Sequence, residues 1–166
     1  MSLPSKVEAV LDAAAVAMTR YGRDAALDNW ERHAMGFPQV PLQTRHRFAP
    51  GIYGREMTAP ADTFLTGRVH RTEHLFVLSK GAVAVIRNGV REVLRAPYAG
   101  VNFVGTRQFG YVLEEMVWET LHHNPDNLRD VDELERLIFE PVGSHLDGLT
   151  APSPEAFALL QEKGLA

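Results

Sequence analysis

The run Ala82-Val83-Ala84-Val85-Ile86-Arg87-Asn88-Gly89-Val90-Arg91-Glu92-Val93-Leu94 sets two apolar, β-branched segments on either side of an Asn-Gly pair. Both residues of that pair tolerate the positive φ that a two-residue type I′ turn demands, so the stretch predicts a β-hairpin. Working outward, short apolar segments separated by turn residues continue on both sides. Candidate strands are His46–Phe48, Ile52–Thr58, Thr63–His70, His74–Ser79, Ala82–Arg87, Val90–Leu94, Val101–Val104, Phe109–Leu113 and Met116–His122. So many short strands exceed a flat sheet and predict an all-β barrel or sandwich.

Helices are expected on either side of the strands. Ser5 and Glu8 have capping-box spacing, and Val7, Val10, Leu11, Ala14 and Met18 recur on one helical face before Gly22 ends the segment. A second helix is expected from Asp24 to about Ala34, turning Ala26, Leu27 and Trp30 inward, with Gly36-Phe37-Pro38 as its stop. Past the strands, Asn124-Pro125-Asp126-Asn127 breaks the series. Asp130 and Glu133 then cap a helix bearing Val131, Leu134, Leu137 and Ile138, which Pro141 ends. A last helix is expected after Ser153, with Pro154 at its first position and Phe157 and Leu160 inward before Gly164. The chain therefore divides into a helical arm (1–41), a β-domain (42–124) and a C-terminal helical segment (125–166).

Composition removes several function classes. The net charge of −4 offers no broad basic face for nucleic acid. With no cysteine, disulfides, Cys-type zinc sites and thiol nucleophiles are excluded, and chemistry falls to His, carboxylates, hydroxyls and Arg. No apolar run approaches a membrane span, and the N-terminus lacks signal-peptide features. Walker loops, dinucleotide-binding glycine turns, His-Glu-x-x-His helices and nucleophile elbows are absent too.

The densest polar cluster is Gly67-Arg68-Val69-His70-Arg71-Thr72-Glu73-His74, directly before the apolar run Leu75–Leu78 and the turn Ser79-Lys80-Gly81. This stretch resembles the first motif of the cupins, small β-barrels whose usual signature runs Gly, five residues, His-x-His, three or four residues, Glu, six residues, Gly. Gly81 matches the closing glycine, His70 falls at the second histidine, His74 at the glutamate and Arg68 at the first histidine. A second motif, Pro-x-Gly-x-x-His, would fall on Phe103 to Gln108, keeping Gly105 but placing Gln108 at the histidine. The resemblance runs from roughly Phe48 to His122. It implies a mainly β fold: a cupin-like double-stranded β-helix (jelly-roll) barrel with an N-terminal helical arm and C-terminal helices.

A narrower likeness joins Phe48 to Glu56, Gly67 to His74 and Trp118 to His122. These runs resemble small cupin-like proteins of tailed bacteriophages and prophages. That likeness implies a noncatalytic binding or assembly module, located in the host cytoplasm or in a phage particle. Its partners would be further copies of this chain or other virion proteins, with neither nucleic acid nor membrane involved. The helical stripe of Val7, Val10, Leu11 and Met18 adds to this expectation, because it must be buried against something.

The alternative is a metal-dependent enzyme acting on a small polar or anionic substrate. In that reading His70, His74 and Gln108 hold a divalent ion, and Glu73, Arg107, Tyr111 and Glu115 serve the ligand. Glu115 is an alternative third metal ligand, and Arg107 would orient the substrate. Arg68, Arg71 and Arg107 either grip a carboxylate or phosphate or pair with Glu73, Glu114 and Glu115. His122-His123 is expected at the opposite end of the barrel from His70, capping the join of strand and helix. In the noncatalytic reading no cofactor is required.

Overall fold

A computed structural model describes residues 3, 5–36, 38–87 and 89–141. The expected last helix, from Ser153 to Gly164, lies outside these residues, as do Asn88 and Phe37. By internal packing the chain falls into two compact units. One contains two helices together with Ile86–Arg91; the other comprises Val40–Val85 and Glu92–Pro141.

In the first unit α1 spans Ser5–Tyr21 and α2 spans Arg23–Ala34. They are separated at Gly22, whose φ of 87° ends α1 in a conformation that glycine takes without steric cost. The stripe expected to seek a partner chain is already covered. Val7, Val10, Leu11 and Met18 are all buried within this single chain, as is Leu27 of α2. Arg91 reaches α1 as well, donating to Asp12 at 3.0 Å with Glu8 at 3.9 Å.

The second unit is built on an antiparallel sheet. Its strands are β1 (Gln43–Ala49), β2 (Gly51–Ala59), β3 (Phe64–Thr66), β4 (His74–Arg87), β5 (Val90–Arg95), β6 (Tyr98–Asn102) and β7 (Phe109–Asn124). The order is β1-β2-β7-β4-β5, with β3 added on β7 and β6 on β4. The expected hairpin forms between β4 and β5, with Gly89 at a φ of 77°. Seven strands replace the nine expected, because β4 and β7 each run through a position where the sequence suggests a turn.

Ser79-Lys80-Gly81 is that position in β4. Residues 74, 76 and 78 are buried before it and 82 to 86 after it, whereas Ser79 and Lys80 are exposed. Strict alternation would carry Val83 and Val85 to the outer face; an irregularity at Gly81, with a φ of 80°, returns both to the core beside Phe76 and Leu78. A Cβ at Gly81 would stand 2.7 Å from the Glu114 carbonyl oxygen and closer still to that of Glu115, so only glycine fits this crossing with β7. Ala59, Leu94, Val112 and Met116 complete the core.

α3 (Val131–Ile138) belongs to this same unit. Asp130 caps it, accepting from the Glu133 amide at 3.0 Å, as expected. Leu134, Ile138 and the following Phe139 pack on Tyr53 of β2 in a second, smaller core. No helix among the described residues is long and apolar enough to cross a membrane.

Candidate metal centre

Three histidines meet at one end of the strands. His70 lies in the loop before β4 and is pinned on two sides. Its amide donates to the Thr106 carbonyl at 3.1 Å, its own carbonyl accepts from Gly105 at 2.7 Å, and it bridges to Phe139 after α3. His74 is the first residue of β4, paired with Asn102 of β6. His122 is near the far end of β7, paired with Tyr53 of β2.

β4 and β7 are adjacent, Ser79 bonding to the Val117 carbonyl and Phe76 stacking on Trp118 at 4.4 Å. Continued along the strands, this register sets His74 against His122, their rings 4.4 Å apart, and His70 lies 4.2 Å from His74. One ring nitrogen from each of the three lies within 4.8 Å of the others. Among the described residues this is the only cluster of metal-binding side chains so arranged.

The hydrogen bonds fix which nitrogens remain for a ligand. Nδ1 of His70 donates to the Thr106 carbonyl at 3.2 Å and Nδ1 of His74 to the Thr72 carbonyl at 3.1 Å, because a carbonyl can only accept. Each neutral ring therefore presents a bare Nε2. That of His74 receives a long 3.2 Å contact from the Asn102 amide, which Gln108 orients from 3.0 Å. His122 is the reverse case. Its Nε2 meets the Thr120 hydroxyl at 3.0 Å, and its buried Nδ1 has no partner.

Burial is the main force on all three rings. It lowers the pKa of His70 to about 4, aided by His74, and that of His122 to about 3, aided by His74 and His70; it also lowers His74. At neutral pH the trio is uncharged, the state a metal ligand requires. Ring nitrogens bind zinc at about 2.0–2.1 Å, so the trio, with nitrogens within 4.8 Å of one another, would draw together to close around a divalent ion. Three imidazoles with their second nitrogens tied to Thr106, Thr72 and Thr120, and one buried lone pair without a donor, fit such an ion.

A cavity of about 260 Å3 adjoins the trio. His70 lines it, together with Asn102 and Thr120, the partners of His74 and His122. Met57, Leu65, Val83, Val85, Met116 and Trp118 give it an apolar wall, and Arg55, Arg68, Thr106 and Gln108 a polar one.

Similar architecture occurs among solved structures. KdgF from Halomonas sp. aligns at 16% identity over 54% of this chain and 87% of its own, with a TM-score of 0.45. Acetylacetone dioxygenase from Acinetobacter johnsonii aligns at 13% identity over 57% and 74%, with a TM-score of 0.43. A cupin-2 domain containing protein from Shewanella frigidimarina aligns at 12% identity over 57% and 92%, with a TM-score of 0.42. Cupin-domain proteins thus stand among its structural neighbours. No family model and no curated protein matches the sequence.

The structure distributes the residues expected at the site unevenly. His70 and His74 come together, and Gln108 lines the cavity but touches the trio only through Asn102. Glu73 is exposed at the turn before His74. Glu115 is exposed and bound to Lys80 at 2.6 Å, beside Gly81 at the crossing of β4 and β7, away from the imidazoles. Glu114 likewise pairs with Arg95 at 2.9 Å.

Arg107 is buried, its Nε donating to the Gly67 carbonyl at 3.1 Å, which holds the loop carrying His70. Tyr111 is buried against Phe64 and donates to Asp62 at 2.7 Å; burial and Asp62 push its pKa up to about 12. Neither residue lines the cavity. His122 is the main correction. It was expected at the opposite end from His70, yet antiparallel pairing brings the end of β7 to the start of β4. Its one sequence signal is its place in the alternation Trp118, Thr120, His122 along one face of β7.

Proposed function

We propose that this chain is a metal-dependent enzyme acting on a small molecule held in the cavity, with His70, His74 and His122 as the metal ligands. One observation carries the reading: three neutral imidazoles converge, and the buried Nδ1 of His122 has no partner. An ion bound by three protein ligands keeps an open position and can polarise a substrate oxygen or activate water there. The chain's own residues do the rest. Thr106, Thr72 and Thr120 hold the ring orientations, and Gln108 and Asn102 steady His74.

The noncatalytic assembly role rested on the likeness to phage cupin-like proteins and on the helical stripe, with the changed ligand positions, Gln108 among them, in its favour. His122 supplies the missing imidazole, which moves the weight to metal-dependent chemistry. The test is metal analysis of protein purified without chelators. About one divalent ion per chain is expected, lost in His70→Ala, His74→Ala and His122→Ala and kept in Gln108→Ala. A folded wild-type protein that takes up no divalent metal would return the balance to a binding module.

A further inference from the structure

The polar wall of the cavity carries two arginines that the metal reading does not use. Arg55 projects from β2 and Arg68 from the loop before His70, and both line the cavity. They lean on the same carboxylate, Glu135 of α3, at 3.9 Å from Arg55 and 2.9 Å from Arg68. Arg68 also donates to the Glu140 carbonyl at 3.4 Å. The Nε of each is buried and without a hydrogen-bond partner. The Phe139 ring lies 4.4 Å from the Arg68 guanidinium and 5.9 Å from that of Arg55, which restrains both planes.

Two guanidinium side chains lining one cavity favour a ligand that presents paired oxygens. The apolar lining residues, Met57, Val83, Val85 and Trp118 among them, offer no partner for a second charge and suit an apolar body. A volume of about 260 Å3 has room for a single-ring body.

From this arrangement we infer that the cavity recognises a small organic monocarboxylate, its carboxylate held by Arg55 and Arg68 and its apolar body laid along Trp118. This names a substrate class for the proposed enzyme and rests on that reading for its catalytic meaning, while the anion site itself needs no metal.

The test is calorimetric titration of the full chain with benzoate and its neutral analogue benzamide, before and after removal of metal with a chelator. Benzoate is expected to bind about tenfold or more tightly than benzamide in both states. Arg55→Gln should weaken benzoate binding by about tenfold and Arg55→Lys should restore part of it, whereas Glu135→Gln should strengthen binding several-fold by releasing both arginines. That gain cannot arise from a folding defect. Equal affinity for the two probes, no detectable benzoate binding, or Arg55→Gln binding like wild type would overturn the inference. Benzoate bound by a protein that takes up no metal would uphold the anion site and remove the metal reading; stoichiometric metal without carboxylate preference would do the reverse.

Discussion

His122 shows how one side chain acquires a role through its surroundings. Alone it is a strand histidine; between His70, His74 and Tyr53 it is a buried ring kept neutral to about pH 3, and His70 stays neutral to about pH 4. An unfolded chain protonates the same rings near pH 6.5. Between these values the unfolded state binds more protons than the folded one. The metal-free protein should therefore have its full stability above about pH 6.5 and lose it as pH falls towards 4. His70 alone accounts for a loss on the order of 3 kcal/mol across that interval. Urea midpoints at pH 7 and pH 5 measure the effect, and His122→Leu should flatten it; an unchanged midpoint in the wild type would contradict the assignment. A saturating divalent metal should raise stability at pH 7, by about 2.7 kcal/mol at a hundredfold excess over its dissociation constant. Thermal melts with and without a chelator report it.

At the scale of elements, two glycines with nearly the same φ separate local from tertiary demands. Gly89 sits in the β4–β5 turn with nothing near its missing Cβ, so Gly89→Ala should cost about 1–2 kcal/mol of backbone strain. Gly81 faces the Glu114 and Glu115 carbonyls across β7, so Gly81→Ala should cost upwards of about 3 kcal/mol or prevent folding. Comparing the two in chemical denaturation tests whether Gly81 is a strand crossing and not a turn. Removing the α3 cap with Asp130→Ala should cost about 1 kcal/mol, checked the same way. The hairpin, the glycine stop of α1 and the Asp130 cap were legible because turn and cap signals act within a few residues. The continuity of β4 through Ser79-Lys80-Gly81 was not, since those residues resemble a turn until β7 lies against them.

For the molecule as a whole, the strand unit rests on the paired planes of Phe76 and Trp118, 5° from parallel between the core and the cavity. Trp118→Ala should cost about 3–5 kcal/mol and enlarge the cavity, seen as a lower melting temperature with metal content retained if the trio survives. Half of the site was visible beforehand. His70 and His74 stand close in sequence beside a strand start, so their pairing needed little more than the β-fold expectation. The third imidazole, the arginines facing the cavity and the exclusion of Glu115 depended on which strands become neighbours.

Taken alone, the sequence determined a mainly β chain with two leading helices, a hairpin at Asn88-Gly89, a capped helix after the strands and chemistry confined to histidine, carboxylates, hydroxyls and arginine. Those features follow from steric and hydrogen-bonding preferences that residues carry wherever they are placed. The tertiary structure decided that His122 and not Gln108 joins His70 and His74, and that Arg55 and Arg68 share Glu135. Both outcomes hang on the antiparallel register between distant strands, where a shift of one residue turns every side chain to the other face.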